Sequence, residues 1–329
     1  MSAGTRVQAR VDVGDWMPRV TLPLASGGIF DSWDANRSGD IRIYWLGSPP
    51  VGLTDADVAV LAATEAVLYI VRDAPVAVAP AECLVDRDKE FAAVFGVASS
   101  GAAIVVDPAD RVAAILPDPS IEAVLIEIER LREPSAPVLV VPRAPVLMLE
   151  RVVEPALCYD LVDYWRASGK SANQVGSAAG NVINADIKRR LDVEVEEPGL
   201  LARLRNDIGR RVVPAILKAF QIGIMVIEAP IVGCYDAEEG GRFGRHRDNA
   251  SRLSAHRQFA LSINLNPDTE YRGGEIRFPE FGRELYRPPA GAGLVFSTSL
   301  LHEVTPVQQG RRFGVFTFLS SRAPNLRQG

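Results

Sequence analysis

The chain has 329 residues, 47% of them hydrophobic, enough apolar material for two ordinary domains with separate cores. A formal net charge of −5 with 23% charged residues excludes a generally basic, nucleic-acid-binding surface. No apolar run approaches the roughly 18 residues of a membrane-spanning helix, and the N-terminus lacks the apolar stretch of a secretory signal, so the expected address is cytoplasmic.

Strand and helix patterns alternate in the first 132 residues. Ile41–Leu46 is an apolar strand candidate, and 55–64 has helical spacing behind an acidic start. Residues 67–71 predict a second strand, 88–95 a short helix, 102–106 a third strand and 112–116 a fourth. Residues 120–132 predict an amphipathic helix with Ser120 as its N-cap. Strands separated by helices imply an α/β layered domain over 1–133. The stretch 133–145 then holds four prolines in thirteen positions and is expected to be an extended linker, assigned to 134–146.

This first half resembles the peroxiredoxin branch of the thioredoxin fold. The resemblance rests on Gly14-Asp15-Trp16-Met17-Pro18 with Leu22-Pro23, and on the later order Leu84-Val85-Asp86, Phe95-Gly96-Val97, Ile104 to Asp107 and Arg111-Val112. It implies an N-terminal α/β thioredoxin-like domain. In that family the attacking cysteine follows the first core strand, at a helix start that lowers the thiol pKa. Here the matching segment, 47–56, contains no cysteine. The domain is therefore expected to serve binding or homodimer formation, and a thiol peroxidase working through Cys83 is the alternative. The three cysteines, Cys83, Cys158 and Cys234, show no CxxC spacing and are expected as free buried thiols.

The second half, 147–329, opens with helical patterns at 155–168 and 198–220, each beginning with proline. Between them, 170–184 is rich in Gly, Ser, Ala and Asn and reads as a mobile loop, a candidate lid together with 236–241. From residue 222 the rhythm changes to short strands, expected at 223–229, 230–235, 259–265, 274–278, 293–297, 303–306 and 312–319. Such a series, broken by Gly, Pro and Asp turns, predicts a double-stranded β-helix (jelly roll) with flanking helices.

Into this pattern fall His246-Arg247-Asp248 and, 54 residues beyond the aspartate, His302. Two imidazoles and a carboxylate are the ligand set of a facial iron site, which leaves adjacent positions open on the metal. On a strand, the i, i+2 spacing would put His246 and Asp248 on one face. His256 has no such spacing and is expected to be a plain surface or substrate-proximal histidine.

Three ordered blocks resemble the prolyl-4-hydroxylase-like branch of the Fe(II)/2-oxoglutarate oxygenases. They are Cys234-Tyr235 with Gly241 to Asn249, then Phe259 to Asn266 with Gly273-Gly274-Glu275 to Pro279, and Pro289 to Phe296 with His302 to Val307 and Gly310-Arg311-Arg312. The resemblance implies Fe(II) held by His246, Asp248 and His302, with 2-oxoglutarate and O₂ as co-substrates and ascorbate as a candidate stimulant. It also implies hydroxylation of an unactivated C–H bond, with release of succinate and CO₂. The substrate would be a prolyl residue, a free amino acid or a small metabolite, and neither nucleic acid nor a membrane is an expected partner. Arg312 stands where the family anchors the distal carboxylate of 2-oxoglutarate, with Arg311 expected on the opposite face. The family's tyrosine three residues before the first histidine is Phe243 here, which cannot hydrogen-bond. Tyr235, Asn264, Ser262 and Thr317 are the candidates to replace it. A non-catalytic binding or scaffold protein is the remaining alternative.

Overall fold

A computed structural model describes residues 10–34, 39–47, 53–76, 81–97, 101–132, 143–169 and 187–321, with the backbone alone at 171–172, 175–177 and 180–182. The chain divides into two compact units, Met1–Pro137 and Val138–Gly329. Most of the proline-rich stretch, and residues 48–52 of the segment that would carry a peroxidatic cysteine, lie outside the described residues.

The first unit is built on a five-stranded mixed sheet. Its order is Glu82–Val85, Val67–Arg72, Arg42–Leu46, Ala102–Val106, Val112–Pro117. The first three strands run parallel and the last two are added antiparallel. Successive side chains point to opposite faces. Tyr44 and Tyr69 therefore pack with Phe91 and Phe95 on one side, while Ile43, Ile70 and Val105 pack with Val58, Leu61, Val124 and Ile128 on the other. Both faces are covered, which is why the strands read as continuous apolar runs. Thr54 caps the helix Asp55–Ala62 in a reciprocal box with Asp57. Ser120 caps Ile121–Leu131. Cys83 sits buried within a strand, not at a helix start.

The second unit is jelly-roll-like. Its large sheet runs Val146–Leu149, Gly293–Ser297, Phe259–Asn264, Val307–Ser320, Ile231–Asp236, Leu191–Glu194, Ser171–Ala172. The small sheet runs Lys188–Arg189, Arg242–His246, His302–Val304, Ile276–Arg277, Leu285–Tyr286. One face of the large sheet, with Phe259, Leu261, Ile263, Phe313 and Val315, packs on Leu157, Leu161, Trp165, Leu204, Ile208 and Ile216 of the helices. Burying each such side chain contributes about 1.5–3 kcal/mol, so this layer fixes the sheet. The opposite face, with Tyr235, Ala260 and Phe316, looks inward with Phe278, Ile276 and Val304.

Several expected elements differ. The single helix expected at 198–220 is Pro198–Asp207 and Val213–Phe220 joined by a π turn, Ile208–Val212. Pro214 explains the turn: a proline has no N–H to donate and its ring collides with the carbonyl four residues back, so the backbone widens locally. The strand expected at 223–229 shrinks to Val226–Ile227, whereas 312–319 belongs to a 14-residue strand. In the stretch read as a loop, Val175–Ser177 pairs antiparallel with Gly180–Val182. The other candidate lid, 236–241, is a tight turn, with Gly241 N–H donating to Asp236 O at 2.7 Å and Arg311 paired with the Asp236 carboxylate. Those ties leave it little room to open.

Candidate metal centre and its cavity

The strands Arg242–His246 and His302–Val304 are antiparallel neighbours, with His246 directly opposite His302. The register slips between Phe243 and His246, a bulge that turns residues three apart to the same side. The Phe243 ring consequently stacks on the His246 imidazole at 3.5 Å between centroids. Asp248 does not share the strand, as the spacing suggested. The strand stops at His246, and Asp248 lies in the following turn, its N–H donating to Thr298 O at 3.0 Å. That bond returns the carboxylate to the histidines: His246 Nε2 is 3.4 Å from Asp248 Oδ1 and His302 Nε2 is 3.5 Å from Oδ2.

Each ring is oriented by its own strand. His246 Nδ1 lies 2.8 Å from Gly244 O and His302 Nδ1 lies 3.0 Å from Leu300 O. A carbonyl only accepts, so both Nδ1 atoms carry a proton and both rings turn Nε2 toward one point. Burial, with Asp248 opposing, holds His302 down to about 4, so it is neutral at pH 7. Burial would push the Asp248 carboxyl up, but the His302 and His246 imidazoles, protonated in the acid range where the carboxyl titrates, bring it below the ordinary carboxylate range. The Nε2 atoms of His246 and His302 and the Asp248 carboxylate thus converge. Their ligand atoms all lie within 4.8 Å of one another. Ligands about 2.1 Å from one ion and at right angles are about 3 Å apart, so the set fits a divalent metal with a small inward adjustment.

The triad faces a cavity of about 400 Å³. Tyr235, Ser262 and Thr317 reach its wall; Asn264 does not, its amide being turned to Asn266 O at 2.8 Å. The Thr317 hydroxyl donates to Glu228 O at 2.8 Å, a structural use. Arg312 stands one layer behind Tyr235 and Ser262 and is 2% exposed. It donates to Gly274 O at 2.7 Å and Ser262 Oγ at 3.4 Å, both neutral, and no carboxylate among the described residues pairs with it. Gly274 permits this approach: its φ is +75°, and a Cβ there would meet Arg312 Cδ at 3.1 Å. Arg311 points outward, half-exposed, to Asp236. His256 pairs with Glu228 and is no ligand.

One group on the wall was not anticipated. Lys188, Arg190 and Asp192 form a buried ion cluster. Lys188 belongs to the small sheet, opposite Phe243, and Asp192 to the large sheet, opposite Gly233, so the chain crosses between sheets at Arg190. Lys188, Arg190 and Asp192 share a strand's period of two, but Arg189 is charged as well, so the sequence shows a charge run and no alternation that would single them out.

Residues 231–320 match the model of the 2OG-Fe(II) oxygenase superfamily. They form a 2OG-Fe(II) oxygenase domain, and that family uses Fe(II), 2-oxoglutarate and O₂. A PKHD-type hydroxylase of Synechococcus sp. (strain JA-2-3B'a(2-13)) is 32% identical over 110 residues, 31% of this chain and 48% of the relative. The chain thus spans about half the length of the first curated relatives it matches. A PKHD-type hydroxylase of Teredinibacter turnerae is 28% identical over 183 residues, 53% of this chain and 79% of the relative. Among solved structures, a Pseudomonas putida prolyl-4-hydroxylase aligns with TM-score 0.41 and 17% identity, covering 55% of this chain and 94% of that one.

Proposed function

We propose that this protein is an Fe(II)- and 2-oxoglutarate-dependent hydroxylase acting on an unactivated C–H bond of a substrate that enters the triad cavity. The observation that carries this reading is the convergence of two Nε2 atoms and the Asp248 carboxylate on one point of a buried wall. Bound iron and 2-oxoglutarate would supply O₂ activation coupled to decarboxylation of the co-substrate to succinate and CO₂.

The chain's own residues do the rest. Their main-chain hydrogen bonds at Nδ1 fix the orientation of His246 and His302, so each ring presents Nε2 to the metal position. Asp248 supplies the negative charge, and its carboxylate form persists at neutral pH. Arg312 is the proposed anchor for the distal carboxylate of 2-oxoglutarate. Its support is a buried guanidinium facing only neutral acceptors, a costly arrangement that an anion relieves. Phe243 cannot take the usual tyrosine's part, but Tyr235 and Ser262, on the wall between Arg312 and the cavity, offer hydroxyls there. Apolar Ile276, Phe296, Val304 and Phe316 line the cavity and exclude water from the reacting atoms.

For the first unit the proposal is a thioredoxin-like accessory domain for binding or dimer formation. Its parallel strands joined by the helix Asp55–Ala62, followed by an antiparallel pair and a closing helix, support that. The mid-strand burial of Cys83 speaks against a thiol peroxidase. No helix among the described residues is long and apolar enough to cross a membrane. A cytoplasmic location is proposed from the composition.

The test is iron-dependent conversion of 2-oxoglutarate to succinate by the purified chain. Slow succinate release that needs Fe(II) and O₂ and disappears in Asp248→Ala is the expected result. Equal release by wild type and Asp248→Ala would remove the proposal.

A further inference from the structure

The Lys188–Asp192–Arg190 cluster is not needed by the chemistry described so far. Asp192 is 1% exposed and already held by both arms of Arg190, Nε to Oδ1 at 2.6 Å and NH2 to Oδ2 at 3.0 Å. A bidentate guanidinium is sufficient to satisfy a buried carboxylate. Lys188 adds a second cation to the same Oδ2 at 2.9 Å. An ammonium has three donors, and this is its one hydrogen bond to a described residue. The cluster therefore sets two buried cations against one directly bonded anion on the cavity wall, and the next carboxylate acting on Lys188 is that of Asp248. With Asp248 committed to a metal, the cluster would keep an excess of positive charge, which is costly unless an anion is bound there.

The surroundings favour an anion as that missing partner. The other cations lining the cavity are committed: Arg257 to Glu228 and Arg247 to Glu280, both bidentate. Arg190 is fixed further by its hydrogen bond to Tyr235 Oη at 3.3 Å and by the Phe316 ring 4.0 Å away. Lys188 Nζ lies 5.6 Å from the centre of the Phe243 ring that stacks on His246. The ammonium is thus near the triad, within reach of the Asp248 charge, so a small molecule touching Lys188 would have its carbon skeleton beside the metal position. Burial, helped by the like charge of Arg190, holds Lys188 down to about 8, which leaves it mostly charged at pH 7.

We propose that Lys188 is a specificity-determining residue whose ammonium binds a carboxylate carried by the molecule to be oxidised, with Asp192 and Arg190 holding it in position. This rests on the oxygenase reading, in which the metal and Arg312 take the two carboxylates of 2-oxoglutarate and leave the cation excess at Lys188 for the substrate. The substrate class is then a small free acid, such as an amino acid or short-chain carboxylic acid, in preference to a residue within a peptide. Gly233 makes the cluster possible: a Cβ there would lie 2.6 Å from Asp192 Oδ1 and 2.8 Å from Arg190 Nε.

The test uses the full chain loaded with Zn(II) and saturating 2-oxoglutarate. Binding is followed by ligand-observed saturation-transfer NMR against free L-amino acids and straight-chain monocarboxylic acids, each paired with its primary amide. The expected result is at least one acid bound tenfold or more tightly than its amide. That preference should be lost in Lys188→Gln and partly kept in Lys188→Arg, with 2-oxoglutarate affinity unchanged in both. The proposal is overturned if no acid is preferred over its amide, or if Lys188→Gln binds the acid as wild type does. Weakened 2-oxoglutarate binding in Lys188→Gln would assign the lysine to the co-substrate and also overturn it. Should Lys188→Gln not fold, unchanged acid affinity in Lys188→Arg, whose donors are displaced, has the same force. Failure of the wild type to bind 2-oxoglutarate would instead overturn the oxygenase reading as well.

Discussion

Replacing Arg312 with Gln separates an anchoring role from a structural one because the two predict opposite balances of affinity and stability. Arg312 is 2% exposed and donates only to Gly274 O and Ser262 Oγ. Without a carboxylate partner its charge is a burden on the metal-free fold, and glutamine can still donate to a carbonyl. The unfolding free energy of Arg312→Gln should therefore stay within about 1 kcal/mol of wild type. Binding of 2-oxoglutarate should lose a charge-assisted, two-armed contact worth roughly 2–4 kcal/mol, which is about 30- to 1,000-fold in Kd. Anaerobic calorimetric titration of the Zn(II)-loaded protein reads the affinity, and urea unfolding reads the stability. A Kd within threefold of wild type, together with a stability loss of several kcal/mol, would refute the reasoning and make Arg312 a structural brace.

Gly233→Ala should destabilise the chain by about 1–3 kcal/mol, seen as a lower Tm, because its Cβ would collide with Asp192 and Arg190. Lys188 should leave a signature in the pH dependence of stability. Its ammonium titrates near 10.5 when unfolded and near about 8 when folded, so below the lower value both states are protonated and the burial penalty is fully present. Above it the folded state loses its proton first, and stability rises with pH up to the unfolded value. At pH 9.5 wild type should gain on the order of 2 kcal/mol relative to pH 7 that Lys188→Met does not, and parallel urea midpoints in the two proteins would contradict this. Cys83→Ala should leave peroxide consumption unchanged, since the thiol is buried within a strand; a loss would reinstate the peroxidase alternative.

The triad was legible because metal chemistry fixes residue type, and few side chains other than histidine and carboxylate can serve. The path to it was not. Asp248 reaches the metal point from a turn tied to Thr298 O, a contact that strand periodicity cannot anticipate. The inner strand of the first unit was readable because both of its faces are buried, whereas Arg242–His246 was missed because its bulge and its half-buried, polar residues break alternation. The stacking of Phe243 on His246 follows from that same bulge, so the missing tyrosine hydroxyl could be noticed in the sequence but not the ring's new use. Pro214 lay unread inside the helix expected at 198–220, and the interruption it causes, a π turn and not an end, depends on the packing of Ile208, Val212 and Ile216 against the sheet. Lys188 and Asp192 belong to short strands of different sheets, and their ion pair exists only once both sheets are in place.

The most direct test of the central claim is the visible spectrum of the purified protein under anaerobic conditions as Fe(II) and then 2-oxoglutarate are added. The account predicts a weak charge-transfer band that requires both additions and is absent in His302→Ala. A correctly folded wild-type protein with no band, or a band of equal strength in His302→Ala, would contradict the assembly of His246, Asp248 and His302 into an iron site.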